Sequence, residues 1–179
     1  MNIETERLRM RQYTLDDADE QLRIINDLEF RRYMPPHFQP TRDKVLVGFG
    51  RIFEHWNLRG HGQLALELKD EGRLFGYCGL RFLTETQEVE LLYGADKAYW
   101  GRGLVTEAAR AYLRYGFETM KFDRIMAVTA HENKGSQRVM EKSGMKYEKD
   151  AFYFGVDCVY YALNREDFSA DDAPYKLIA

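Results

Sequence analysis

The chain has 179 residues, 45% of them hydrophobic and 31% charged, with a formal net charge of -3 at pH 7 and a pI near 5.9. That length and apolar share suit a single domain over residues 1–179 with a substantial core. The acidic balance argues against a nucleic-acid partner, and no apolar run is long enough to span a membrane. The opening Met1 to Arg7 segment is charged and lacks the apolar core of a signal peptide, so cytoplasm is the expected compartment.

Leu8, Met10 and Tyr13 suggest a first strand at roughly residues 6–13. Thr14, the acids Asp16 and Asp17, and apolar residues at Leu22, Ile25 and Leu28 predict a helix over about residues 15–31. Met34-Pro35-Pro36 ends it, because proline cannot continue a helix. His37 reads first as an exposed loop histidine and second as a substrate contact. Val45, Phe49, Ile52, Phe53 and Trp56 recur at helical spacing up to Arg59-Gly60. Leu64, Leu66 and Leu68 alternate as in a half-buried strand. Residues 74–83 and 88–94 complete an apparent antiparallel meander, with Gly76 and Gly79 as bulges or close approaches.

A long amphipathic helix follows Gly101-Arg102-Gly103, with Val105, Ala108, Ala109, Tyr112, Leu113 and Gly116 on one face. Residues 124–130 read as a strand. Asn133 caps a helix to Ser143, and Gly144 suits its left-handed end. Two aromatic-rich strands, about 145–154 and 158–163, join near residues 155–157. Phe152, Tyr153, Phe154, Tyr160 and Tyr161 are expected mostly in the core. This order implies an α+β domain with a mixed sheet. Cys78 and Cys158 are expected as buried free thiols. The histidines His37, His55, His61 and His131 show no metal-ligand spacing, so no metal is expected.

The glycine turn between a strand and a helix N-terminus is a place to hold phosphate, since unpaired amides and the helix dipole favour negative charge. A Walker loop is excluded because Leu104 follows Gly103. A Rossmann fingerprint is excluded because Thr106 stands at the third-glycine place and the helix leads to Met120-Lys121-Phe122 rather than to the acid that fingerprint needs. A tight connection with no ligand is the structural alternative.

Residues 100–105 resemble the pyrophosphate loop of the GNAT N-acetyltransferase superfamily, Gln/Arg-x-x-Gly-x-Gly/Ala. Gly103 matches the fixed glycine, Trp100 replaces the Gln/Arg, and Val105 replaces the last small residue, where its branched side chain is expected to crowd the turn. Tyr-Trp-Gly-x-Gly is similar to the branch of ribosomal-protein N-terminal acetyltransferases. So are Glu4-Thr5-Glu6-Arg7-Leu8-Arg9-Met10-Arg11, Asp16-Asp17-Ala18, Arg32-Tyr33-Met34-Pro35, Glu132-Asn133-Lys134-Gly135-Ser136 with Val139 and Lys142-Ser143-Gly144-Met145, and the closing segment 157–168.

The resemblance implies a central, mostly antiparallel sheet in which a parallel pair, about 88–95 and 124–130, splays apart. It implies acetyl-CoA as donor and an amine as acceptor: a protein N-terminus, an amino acid, a polyamine or an aminated small molecule. Tyr93, Gly94 and Ala95 would lie along the pantetheine arm, Gly94 where a ligand approaches the backbone closely. Gly101, Arg102, Gly103, Leu104, Val105 and Thr106 would surround the diphosphate, with Arg102 alternatively a solvated charge. Asn133 would act as helix cap, cofactor contact or both.

Acetylation needs a neutral amine, a held oxyanion and a proton for the leaving thiolate. A backbone amide near Tyr93 suits the oxyanion. Glu90 interrupts an apolar run on the strand leading to the acetyl group and is the candidate base; a salt-bridged glutamate is the alternative. Strand alternation puts Glu90 and Leu92 on one face, Leu91 and Tyr93 on the other. The tyrosine acid of many superfamily members would fall at Met140, which cannot donate a proton, so Ser136 is the candidate acid, with local backbone bonding as its alternative. Residues 33–38 and the helix after them would wall the acceptor side. The competing reading, favoured by Met140 and Val105, is a non-catalytic acyl-CoA sensor or interaction module. Monomer and homodimer both stay open.

Overall fold

The computed structural model describes residues 1–35, 38–170 and 175–178. Strands β1 (Asn2–Glu4) and β2 (Leu8–Arg11) open the chain. A 3-10 turn at Leu15–Asp17 leads into α1 (Ala18–Asn26) and α2 (Leu28–Arg31). The single helix expected over 15–31 is therefore broken. The Asp27 carboxylate accepts the amides of Glu29 and Phe30, at 2.9 and 3.1 Å, and so starts a new helix inside the old pattern. Helix α3 (Arg42–Arg59) begins at the Thr41 cap and stops at Gly60. His37 and Pro36 lie outside the described residues.

Strands β3 (Gln63–Leu68), β4 (Leu74–Leu83) and β5 (Glu88–Ala95) form the expected meander. A Cβ on Gly76 would strike the Gly94 carbonyl oxygen, and one on Gly79 the Gln63 Cα, so both are close approaches. Then come α4 (Leu104–Arg114), extended by a π turn, β6 (Arg124–Ala130), α5 (Lys134–Lys142), β7 (Lys146–Tyr153), β8 (Val156–Asn164) and β9 (Lys176–Ile178).

The described strands make one sheet in the order β7-β8-β6-β5-β4-β3-β2-β1-β9, antiparallel except at β5/β6. Helices α4 and α5 cover one face. There Tyr112, Ala108 and Met140 pack on Leu80, Leu91, Ile125 and Tyr161. Helices α1 and α3 cover the other, with Ile24, Val45 and Phe49 against Tyr13, Ala65 and Leu74. Cys78 and Cys158 are buried free thiols, and burial pushes both thiol pKa values up.

The aromatic hairpin departs from expectation. Tyr160 and Tyr161 are buried and Tyr153 is half-buried, but Phe152 and Phe154 are 69% and 51% exposed. The cause is position: Phe152 lies on β7, the edge strand, and Phe154 in the turn that follows it. The turn also falls earlier than expected, at Phe154-Gly155, with φ of 54° and 79° as a two-residue hairpin turn requires.

His61 is 3% exposed, with Nδ1 3.2 Å from the Leu80 carbonyl and its ring edge-on to Phe122. Burial lowers its pKa to about 4. Between that value and the ordinary 6.5 the unfolded chain binds the extra proton, so stability is complete above pH 6.5 and is lost as pH falls toward 4. The contribution is about 3 kcal/mol at most. Urea unfolding of His61→Gln should show a smaller fall in stability between pH 7 and 4.5 than the parent chain; parallel losses would remove His61 as the cause.

Candidate active site

Beyond β5, Asp96 caps a short 3-10 turn (Lys97–Tyr99) and is itself held by Arg23. The Trp100 indole N–H then donates to the Ala95 carbonyl at 2.8 Å, tying the loop to the strand end. Gly101 and Gly103 take φ of 73° and 76°, a left-handed conformation that L side chains rarely adopt. A Cβ on Gly101 would meet nothing within 4 Å, and one on Gly103 only the flexible tip of Arg7 at 3.7 Å. Gly103 is the N-cap of α4 and contributes no side chain to close it.

Among the described residues, the first amide after Trp100 with a main-chain acceptor is that of Glu107, on the Gly103 carbonyl at 3.0 Å. The amides of residues 101–106 are thus open to a ligand, at the positive end of a helix. Leu104 is buried and offers its amide alone. Val105 does not crowd the turn: its side chain packs on the main core, so the branched group points away from the anion side. Arg102 is exposed, its guanidinium 5.2 Å from the Tyr99 ring centre. Thr106 is half-buried in the first helical turn.

A clamp from β2's side holds this loop. Arg7 Nη1 donates to the Arg102 carbonyl at 3.0 Å, while Arg7 Nε donates to Glu107 Oε2 at 2.6 Å. Glu107 Oε1 accepts the Arg7 amide and the Thr5 hydroxyl, at 2.9 and 2.5 Å. An acid in the first turn suits the dipole but opposes an arriving phosphate; Arg7 compensates that charge. Arg7, Thr5 and Glu107 received no role from the sequence. Contacts a hundred residues apart leave no local pattern.

The loop leads to the strand gap. β5 and β6 register at one pair, Glu90 with Met126, although β5 continues to Ala95 and β6 to Ala130. Past Glu90 the main chain of Leu91 to Ala95 has β4 on one side only. Gly94 is glycine for a different reason from the one expected. A Cβ there would meet the rings of Phe30 and Tyr77 at 2.8 Å, so the chain's own aromatics crowd its face and a ligand has only the strand edge.

Tyr93 projects toward α5. Its hydroxyl lies 3.0 Å from Ser136 Oγ and donates to the Ser136 carbonyl at 3.0 Å. Asn133 Oδ1 accepts the Ser136 amide at 3.1 Å, so the cap is made; its Nδ2 has no partner among the described residues. Tyr93, Asn133 and Ser136 therefore meet at the start of α5. Met140, one turn after Ser136 on the same helix, is 1% exposed and belongs to the main core, against which Tyr93 also packs.

Glu90 lies on the opposite face from Tyr93, as alternation requires, and does not meet Ser136. It is 4% exposed, and Arg81 on β4 donates to its Oε2 through Nε and Nη2 at 2.9 and 2.5 Å. Burial raises the Glu90 carboxyl above its usual range, and the Arg81 attraction only partly offsets this. Arg81 also lies under the Phe154 ring, 4.9 Å from its centre. Beside it, Glu88 accepts the hydroxyls of Tyr153 and Tyr160 at 2.6 and 2.7 Å. Burial works to raise the Glu88 carboxyl, but those bonds and Thr86 hold it below its usual range.

A glycine loop whose amides lack main-chain acceptors, a helix N-terminus and a parallel strand pair registered at one position thus stand together at the end of β5. The chain belongs to the GNAT acetyltransferases: the acetyltransferase (GNAT) domain matches residues 7–146. It is 30% identical over 182 residues to the uncharacterized N-acetyltransferase YnaD of Bacillus subtilis (strain 168), spanning 94% of this chain and all of that one. The crystal structure of a GNAT-family acetyltransferase from Bacillus anthracis superposes with a TM-score of 0.79 at 28% identity, over 93% of this chain and 99% of that one. The fold is also that of AAC(6')-Ib, solved in complex with paromomycin and acetyl-CoA, with a TM-score of 0.77 at 17% identity over 94% and 99% of the two chains.

Gly103→Asp puts a charge and a strained side chain against the open amides. It should weaken CoA binding by at least about tenfold by calorimetry. Arg7→Ala, which frees the Arg102 carbonyl, should weaken it by about threefold with the fold intact. Unchanged affinity in both would remove this loop from cofactor binding.

Proposed function

We propose that this protein transfers an acetyl group from acetyl-CoA to a primary amine by direct attack in a ternary complex, in the cytoplasm. The observation that carries the reading is the run of open amides at residues 101–106 leading to the parted end of β5 and β6. Acetyl-CoA, when bound, supplies the thioester-activated acyl group. Gly101, Arg102, Gly103, Leu104, Val105 and Thr106 hold the diphosphate, chiefly through main-chain N–H groups. The edge of Tyr93, Gly94 and Ala95 lines the pantetheine arm, and Asn133 borders it through Nδ2.

Glu90 takes the proton from the acceptor amine, directly or through one water. A raised carboxyl suits this task because a base works best near the operating pH. A main-chain amide at the strand parting, near Tyr93, holds the developing oxyanion. The new N–C bond forms as the C–S bond breaks. Ser136 gives its hydroxyl proton to the departing sulfur, directly or through a water, and takes one back from solvent. The acceptor is a protein N-terminus, an amino acid, a polyamine or an aminated small molecule. Met140, withdrawn into the core, keeps a second reading in play: an acyl-CoA-binding module without turnover.

Thiol release from acetyl-CoA over a panel of such amines separates the two. Turnover supports the enzyme; tight CoA binding without turnover supports the module. Glu90→Gln should lower kcat by about a hundredfold while leaving CoA affinity unchanged. The parent kcat/KM should fall as pH drops through a pKa above the ordinary carboxylate range. Arg81→Met, which removes the lowering charge, should move that limb to higher pH. A limb that stays in place in both variants would take Glu90 out of the chemistry.

A further inference from the structure

Strand β3 begins at Gln63, opposite Gly79, while β4 runs on to Leu83. Past Gly79, β4 therefore has a strand neighbour on one side only, β5. Two imidazoles take up main-chain groups of that stretch. The Phe82 N–H donates to His55 Nε2 at 3.1 Å, and His61 Nδ1 donates to the Leu80 carbonyl at 3.2 Å. The Phe82 amide fixes the His55 tautomer: Nε2 must accept, so the ring proton sits on Nδ1 and is donated to the His61 carbonyl at 2.8 Å. His61 is neutral too, since burial lowers its pKa to about 4. These bonds close a clamp on β4 from Leu80 to Phe82.

The clamp has its own footing. Trp56 of α3 donates its indole N–H to the Gln63 carbonyl at 3.0 Å. Tyr112 of α4 and Tyr115 just after it donate their hydroxyls to the Gly62 and Gly60 carbonyls, at 2.8 and 3.2 Å. A Cβ on Gly62 would strike the Trp56 indole at 2.6 Å, so glycine is what lets the segment pass this close. The His55 and His61 rings meet edge-on, 4.9 Å between centres. The Arg59 guanidinium lies 4.2 Å from the centre of the Phe82 ring, so Phe82 is held at its ring as well as at its amide.

Between Leu80 and Phe82 stands Arg81, whose Nε and Nη2 both donate to Glu90 Oε2. Arg81 and Glu90 are cross-strand partners, so a shift of β4 against β5 moves the guanidinium against the carboxylate. The titratable groups that act on Glu90 are Arg81 and Tyr77 of β4, Glu88 of β5, Tyr153 of β7 and Cys158 of β8. Of these, Arg81 is the cation and draws the Glu90 carboxyl down. Its placement therefore decides how the carboxylate is oriented and where it titrates.

We propose that His55 is a positioning residue for the reaction: its imidazole, braced by His61, holds the Phe82 amide so that Arg81 keeps the Glu90 carboxylate turned toward the acceptor amine. The proposal rests on Glu90 as the base of acetyl transfer, and His55 acts through Arg81. Glutamine and asparagine separate the two ends of the ring. Gln Oε1 reaches the place of Nε2 and can accept the Phe82 N–H, whereas the Asn amide reaches only the place of Nδ1.

The Glu90 carboxyl carbon is followed through a pH titration of 13C-labelled protein without coenzyme or amine, and the acid limb of kcat/KM is measured beside it. His55→Asn leaves the Phe82 amide without its acceptor. It should move both the titration and the limb up by about half a pH unit, in the direction of Arg81→Met. It should also lower kcat by about tenfold with KM for acetyl-CoA nearly constant. His55→Gln should keep both near the parent; glutamine has no proton to titrate there, so a limb retained in it belongs to Glu90 and not to the imidazole. In an Arg81→Met background, His55→Asn should add no further shift. The parent should show a scalar coupling across the hydrogen bond from the Phe82 amide to His55 Nε2. An absent coupling, an unmoved Glu90 in a folded His55→Asn, equal shifts with Asn and Gln, or an added shift in the double variant would each overturn the proposal. Turnover of amines with Glu90 unmoved by His55→Asn would sink the clamp and leave acetyl transfer standing. The expected Glu90 shifts without turnover of any amine would do the reverse.

Discussion

A main-chain amide or carbonyl inside a sheet is costly to leave without a partner, and past Glu90 strand β5 runs from Leu91 to Ala95 with a neighbour on one side only. The rest of the molecule holds that gap at both ends. At its closed end Tyr153 and Tyr160 reach from β7 and β8 over β6 to the Glu88 carboxylate, joining strands that would otherwise be free to slide. At its open end the Trp100 indole fastens the glycine loop to Ala95, and Arg23 anchors Asp96. A gap braced this way is already shaped before anything enters it, so little binding energy is spent on forming it.

The charges around the site follow the same division. On the α4 side, the acid nearest the anion loop is neutralised by Arg7, and the same arginine fixes a loop carbonyl so that the amides face outward. On the opposite face, Glu90 is kept basic by burial and kept in place by Arg81, itself packed under an aromatic ring at the hairpin tip. Phe154 adopts a left-handed conformation to put its ring there, which costs a bulky residue about 1 kcal/mol or more. Glu90 and the Tyr93–Ser136 pair thus belong to separate faces of the sheet.

The parts legible in the sequence are those whose cause is local. The strand–glycine loop–helix unit, the meander, the Asn133 cap and the opposite faces of Glu90 and Tyr93 all follow from spacing and residue type. The break at Asp27 was hidden because a capping carboxylate inside an amphipathic series leaves the apolar spacing intact. β1 and β9 were missed as three-residue strands stabilised by pairing across the whole chain. The hydroxyl pair of Tyr93 and Ser136, 43 residues apart, and the Arg7–Glu107 clamp are tertiary contacts with no sequence period. Exposure of Phe152 and Phe154 depended on which strand became the edge, something hydrophobicity alone does not encode.

The two cysteines carry a practical consequence. Cys78 is fully covered and Cys158 is 5% exposed, and burial disfavours the reactive thiolate of both. A disulfide reagent in solution will therefore find little to react with on the native chain, so in a thiol-release assay its colour change would report sulfur other than the chain's own. The slow residual labelling that persists without coenzyme will count how often the sheet opens.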